Sequence, residues 1–486
     1  MIKANRFAST VICVFIGFYG PLFTARLPCT ATASRISDVF HLRAPTLRAG
    51  DRLKFGQCVC MDRDGRRVVF GANAQTRFKG AAYIYDLLKE PGVKMDHWGR
   101  TMLVGANTSE AETKQPGELR VIERGSAFGF SCAMDTSGAH IVIGAPGHNR
   151  QRGRVYIYRS VKKSHEWKEA VVLEGPDSRS GDSYGWALGT DEGGKTLVVS
   201  AKGRRANDGE AYVYSCEEGY VDCELSQKLT APDYTDEAGP RGIRIRNNFG
   251  VSLALSANGD TLAVGTTGFD GEKGAVYVFQ REEKDGQSQK KHIFKQRLVS
   301  LNAQKAGFFG YKVAMDSAGC SIVVGADGED EYRGAVYTFH RRDCQDKQSD
   351  FEDEREILME SSRAEDNFGG SVTVSGDGRL LLIGAPGENT KSSQDRGVVY
   401  LYKNTGEAWD YRETIELAAE HPGSRTFFGW ATGSSHSGGR IIATAPDAYG
   451  ETGMAVIAGY RARNHKARSH SRWNLNIFAA RTHEEL

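Results

Sequence analysis

Apolar positions along this chain fall in short bursts set off by turn residues, and one unit recurs. It opens on Phe-Gly and runs through four or five residues of alternating polarity to an Asp/Ser-x-x-Gly turn. A short apolar run then ends in Gly-Ala-Pro or a variant. After a polar loop of about eight residues the unit closes on Gly-x-Val-Tyr-x-Tyr/Phe. The clearest copies are Phe128–Tyr158, Phe249–Phe279, Phe309–Phe339 and Phe368–Tyr402. Phe55–Tyr85 and Tyr184–Tyr214 fit with small losses, Phe428–Tyr460 loses the closing aromatic pattern, and Val93–Glu123 keeps only fragments. Segments such as SCAM and SVTV have the period of two of a half-buried strand, and IVIGA and LLIGA read as strands buried on both faces. VYIY is β-branched and aromatic, as strands prefer. The intervening turn needs glycine because the chain must take positive φ there. A fourth strand-like stretch follows several units, at Trp167–Leu173, Ser226–Thr230, Phe294–Ser300 and Tyr411–Leu417. Copies start at 128, 184, 249, 309, 368 and 428, spaced by 56, 65, 60, 59 and 60 residues.

Four strands per unit, repeated, predict an all-β chain folded as a β-propeller of four-stranded blades. Packing the sheets face to face around an axis buries their faces and leaves only short edges. Residues 36–48 resemble an outer strand, and the last unit lacks one of its own, so an N-terminal strand is expected to close the ring. Residues 34–460 at about 60 per blade predict seven blades. Eight is the alternative, because Val93–Glu123 is an eighth, degenerate unit. Only seven residues separate Tyr85 from Val93. Either the first two units merge into one irregular blade or a segment is missing.

The paired motifs Phe-Gly and Gly-Ala-Pro resemble the FG-GAP repeats that form the propeller of integrin α-chains. The compact form here is similar to the short-hairpin FG-GAP repeats of bacterial and protist secreted or surface proteins. The resemblance covers residues 34–460. It implies a propeller that engages a protein or glycan ligand through the loops of one face. The integrin-type repeat also carries a calcium loop, D-x-[DN]-x-D-G, in its first hairpin. The corresponding turns here, such as Asp135–Gly138 and Asp316–Gly319, are shorter and offer one or two carboxylates, where calcium needs six to eight oxygens. The integrin calcium site therefore does not carry over. Asp327, Glu329, Asp330 and Glu331 form an acidic loop that is a weak calcium candidate, with a solvated charged loop as the competing reading. No cofactor is expected otherwise.

Composition agrees with this pattern. Glycine is 57 of 486 residues against 12 prolines, and Tyr plus Phe number 41, which suits short strands and tight turns. The formal net charge of +2 argues against a dedicated nucleic-acid binder. Residues 1–33 read as a signal peptide, with Lys3 and Arg6 ahead of an apolar run and a small-x-small site at Ala31–Ala33. No later apolar run is long enough for a membrane helix. Residues 461–486 form a basic tail ending in His483, Glu484, Glu485 and Leu486, which resembles an HDEL retrieval signal. Secretion and retention in the ER lumen both remain open on this reading.

Removal of the signal would leave seven of nine cysteines. Cys216 with Cys223 is the first disulfide candidate and Cys320 with Cys344 the second, and the odd count leaves at least one thiol over. Cys58 and Cys60, two apart on a strand, share one face and lack further ligands at zinc spacing. Asn107 is the acceptor of an N-glycosylation sequon. No nucleophile elbow, Walker loop or H-E-x-x-H motif occurs. The expected function is a non-enzymatic binding or adhesion-type propeller of the secretory pathway. An ER-luminal folding factor is the first alternative, and a hydrolase with an axial active site the second.

Overall fold

The computed structural model describes residues 36–43, 52–88, 97–104, 125–161, 166–232, 247–283, 290–302, 304–347, 349–359, 362–389, 396–406, 408–417, 425–460 and 473–474. Seven antiparallel sheets follow one another as the blades of a propeller. In each of the first six blades the strands pair in chain order from the innermost outward. Blade four is representative, with Ser252–Leu255 innermost, then Thr261–Thr266, Ala275–Glu283 and Lys290–Leu298. Blade seven is made from both ends of the chain. Thr432–Ser434, Arg440–Ala445 and Met454–Tyr460 supply three strands, and Ile36–Leu42 pairs antiparallel with Met454–Tyr460 as the fourth. The expected N-terminal closure is present.

The described part of the eighth unit, His97–Val104, is the outer strand of blade one. His97–Val104 pairs along its whole length with Ala81–Leu88. The described part of this unit thus belongs to blade one. It kept the repeat's strand-like fragment because an outer strand also needs alternating apolar residues. Blade six gains a short fifth strand, Trp473–Asn474, which runs parallel to Ile415–Glu416.

The core lies between blades. Phe249, which opens blade four, is fully buried with Val198 and Val213 of blade three and with Leu262, Val264, Tyr277 and Phe279 of its own blade. Its ring meets Tyr277 and Phe279 at centroid distances of 5.7 and 6.2 Å, within the favourable range for aromatic pairs. Its backbone bridges to Gly209 of blade three, and the same glycine-to-aromatic bridge joins Gly80 to Phe128, Gly153 to Tyr184 and Gly274 to Phe309. Phe55 and Gly453 close the circle between blades one and seven. The Gly and Phe-Gly signatures therefore mark one junction seen from two neighbouring blades.

Every residue that precedes this aromatic takes positive φ, and none of the seven is glycine: Lys54, Ala127, Ser183, Asn248, Phe308, Asn367 and Phe427, at 51–57°. The loops after Gly-Ala-Pro coil the same way. In the four-residue turn His148–Gln151, Asn149, Arg150 and Gln151 have φ of 47, 58 and 63°. Such backbone costs about 1 kcal/mol or more per residue and persists only where surrounding structure dictates it.

One outer strand carries a buried histidine. The imidazole of His292 in blade four donates from Nε2 to the Gly259 carbonyl at 3.0 Å, while its backbone exchanges two hydrogen bonds with the Gln227 side chain of blade three. Burial drives its pKa down to about 4, and the nearby Arg281 guanidinium acts in the same direction. The folded state thus holds a neutral ring where the unfolded chain, near 6.5, would take a proton. The associated stability is complete above about pH 6.5 and is lost progressively as the pH falls to about 4. Urea unfolding of His292→Gln should therefore show about 2–3 kcal/mol less acid destabilisation across that window than the wild type. Parallel pH profiles would remove His292 from this role.

Candidate functional site

The innermost strands enclose an axial cavity of about 560 Å³ to which all seven blades contribute. Its mouth is set by the residue after each Phe-Gly or Tyr-Gly: Gln57, Phe130, Trp186, Val251, Tyr311, Gly370 and Trp430. Four of the seven are aromatic. Phe130 and Trp186, from adjacent blades, meet at a centroid distance of 4.5 Å with their planes tilted by 47°, and Lys202 places its ammonium 3.8 Å from the Trp186 ring centre. Trp430 is 38% exposed. Antiparallel pairing brings the loops between second and third strands to this same end, where Phe78 and Tyr332 are also exposed.

The next level down is built from small polar groups for a structural reason. Ser131, Ser252 and Ser371 donate their hydroxyls to the carbonyls of Gly185, Gly310 and Gly429, the Phe-Gly or Tyr-Gly glycines of the following blade, at 2.7–2.8 Å. Cys58 makes the equivalent bond to Gly129 at 3.3 Å. In blade seven this level holds Ala431, and Thr444 of the second strand donates to Gly56 instead, at 2.8 Å.

Blade five departs from the scheme. Lys312 stands at the serine position, and Asp327 replaces the proline of Gly-Ala-Pro beside it. Burial pushes the Asp327 carboxyl up to about 6 against the pull of the Lys312 ammonium, and burial also lowers Lys312. Asp327 Oδ1 has no hydrogen-bond partner within the protein. This coupled pair is the most distinctive charged feature of the cavity wall.

The far end of the axis is drawn together by backbone. The turns between first and second strands join in a circle of seven hydrogen bonds, Arg63 to Thr136, Thr136 to Glu192, Glu192 to Ala257, Ala257 to Ser317, Ser317 to Gly376, Asp377 to His436 and His436 to Arg63, at 2.8–3.2 Å. The turn acids serve their own loops: Asp62, Asp135, Asp191 and Asp316 accept amide bonds from residues four or five further on.

The acidic loop does not converge. Asp327 faces the cavity and Lys312, whereas buried Glu329 accepts from the Gln304 amide at 3.0 Å. Asp330 pairs with Arg333, and Glu331 is exposed. Among the described residues no group of three or more acidic, His or Cys side chains is placed to hold a metal ion. Cys216 is bonded to Cys223, and Cys320 to Cys344, each within one blade. Cys58, Cys60 and Cys132 are free thiols at the wall between blades one and two. Asn107, residues 1–33, which were expected to be a signal peptide, and His483–Leu486 lie outside the described residues.

The mouth aromatics went unnoticed in the sequence because they vary from copy to copy. The usable signal was their fixed place after Phe-Gly or Tyr-Gly. Lys312 was missed because this position already varies among Cys58, Ser131, Ala187 and Ala431, and only the fold sets Lys312 beside Asp327.

The family model of the FG-GAP repeat matches residues 351–402, which run from the outer strand of blade five through the third strand of blade six. The chain is a seven-bladed β-propeller that carries a match to the FG-GAP repeat. Its FG-GAP character is also reflected in a similarity to integrin alpha-2 of Bos taurus, 28% identical over 123 residues. That match covers 22% of this chain and 10% of the length of the integrin subunit. Among solved structures, the β-propeller domain of Cps50 (Swd1) from Myceliophteria thermophila aligns with a TM-score of 0.49 at 11% identity, over 86% of this chain and 99% of that one. No described helix of the FG-GAP propeller is long and apolar enough to cross a membrane.

Proposed function

We propose that this FG-GAP propeller is a non-enzymatic binding protein of the secretory pathway that engages a protein or glycan ligand at the open mouth of its axis. The observation that carries this reading is the set of aromatics fixed after the Phe-Gly or Tyr-Gly junctions, Phe130, Trp186, Tyr311 and Trp430, around a cavity with Lys312 and Asp327 in its wall. Rigid aromatics at a concave, partly polar rim supply large contact area at low entropic cost. The likeness to an integrin α-subunit and the two disulfides support a binding role and an oxidising compartment.

Panels of immobilised glycans and extracellular proteins would be probed with the wild-type chain and with the Trp186→Ala/Trp430→Ala double variant. A ligand of the mouth should bind the variant at least about thirtyfold more weakly, the loss expected of aromatic hot-spot residues. Equal binding by both proteins would move the site elsewhere. Localisation of an internally tagged chain with and without His483–Leu486 separates the two compartments. Secretion that appears only on deletion identifies a luminal resident, and secretion of both forms identifies an extracellular binder.

A further inference from the structure

Among the described residues three cysteines remain outside the two disulfides, and all three meet at one seam. Cys58 and Cys60 lie on the innermost strand of blade one and Cys132 on that of blade two. The strands Phe55–Met61 and Ser131–Met134 lie side by side, and the Cys132 thiol influences the titration of both Cys58 and Cys60. Cys58 and Cys132 line the axial cavity, whereas Cys60 packs with Cys132 against the apolar cluster between the blades. An oxidant entering by the mouth thus reaches the first two thiols.

From this geometry we infer that Cys58 and Cys132 form a third disulfide, across the seam of blades one and two, while Cys60 stays a free thiol.

The two existing disulfides place the chain where thiols in contact are oxidised. The oxidant is a small external disulfide such as oxidised glutathione. The Cys58 thiolate attacks one of its sulfurs, forming a mixed disulfide and releasing one thiol. The Cys132 thiolate then attacks the Cys58 sulfur, closing the protein disulfide and releasing the second thiol, so two electrons and two protons pass from the cysteines to the oxidant. Burial raises all three thiols, and Lys312 is the only charged side chain that pulls one of them, Cys58, back down. Closing the bond removes the Cys58 hydrogen bond to Gly129 and replaces it with a covalent tie on the blade that borders the ring closure.

The test uses the full chain expressed through an oxidising secretory pathway, denatured in N-ethylmaleimide and digested without reductant. The expected result is one alkylated residue among the three, located by fragmentation at Cys60, and a cross-linked peptide joining Phe55–Arg63 to the one holding Cys132. Cys60→Ser should keep the cross-link, and Cys58→Ser and Cys132→Ser should each abolish it. Three alkylated thiols in the wild type, or a cross-link that survives Cys58→Ser, would overturn the inference. The wild-type and Cys60→Ser results decide the matter even if the other variants fail to fold.

Discussion

Removal of residues 36–43 should open the ring and leave a chain that no longer unfolds as one cooperative unit. Blade seven would keep three strands, and Met454–Tyr460, paired on one side by Ile36–Leu42 in the intact protein, would become an edge. Ile36 and Leu42 are both buried, and side chains of this size each contribute about 1.5–3 kcal/mol on burial. Their loss, together with the Tyr85 hydroxyl bond to the Arg43 carbonyl at 2.8 Å, amounts to about 4–7 kcal/mol. Domains are commonly stable by only about 5–15 kcal/mol. An exposed strand edge of apolar and aromatic residues also invites intermolecular pairing. The expected outcome is therefore aggregation on size-exclusion chromatography and a broad, early urea transition. A synthetic peptide of residues 36–43 added in trans should restore part of the transition. A truncated chain that stays monomeric with the wild-type midpoint would show that the seam between blades seven and one holds the ring without this strand. That seam includes the Phe55–Gly453 bridge and the Thr444 bond to Gly56.

The repeat was legible because each of its signatures answers to a local demand of a blade. Asp or Ser at the first turn accepts its own loop's amides, as Asp316 does from Cys320 at 2.8 Å and Ser375 from Leu380 at 2.9 Å. Glycine three residues on, at Gly319 or Gly378, takes φ near 70°. The outer strand Trp167–Leu173 matches its expected bounds. What stayed hidden is what only the ring brings together. Cys132 stands more than seventy residues from Cys58 and became its neighbour because consecutive blades place their innermost strands side by side. Asp327 read as one member of an acidic loop, yet its electrostatic partner is Lys312, on the strand before. The seven left-handed residues ahead of the Phe-Gly and Tyr-Gly junctions escaped because Lys, Ala, Ser, Phe and Asn carry no common turn signal, and the constraint comes from the blade next door.

Gly274→Ala should rank among the most damaging single substitutions in the chain, and Gly271→Ala, three residues away, should be mild. Both glycines lie in the loop between the second and third strands of blade four, and both have positive φ, +88° at Gly274 and +72° at Gly271. Strain from φ alone predicts similar losses of about 1–2 kcal/mol. Space separates them. A Cβ at Gly271 would meet nothing within 4 Å, whereas one at Gly274 would fall on the carbonyl oxygen of Phe309 and within 2.8 Å of its nitrogen and carbonyl carbon. Those atoms are backbone, and they are fixed by the bridge between the two blades and by the Phe309 ring, which packs against Tyr337 and Phe339. Overpacking against atoms that cannot yield adds about 1–3 kcal/mol, so Gly274→Ala should cost about 2–5 kcal/mol in urea unfolding against about 1–2 for Gly271→Ala. The same junction launches the strand that carries Tyr311 and Lys312 into the cavity. A Gly274 variant that survives should thus weaken ligand capture at the mouth, while the Gly271 variant should not. Equal losses for the two substitutions would mean that backbone conformation, rather than contact between blades, dictates glycine at this junction.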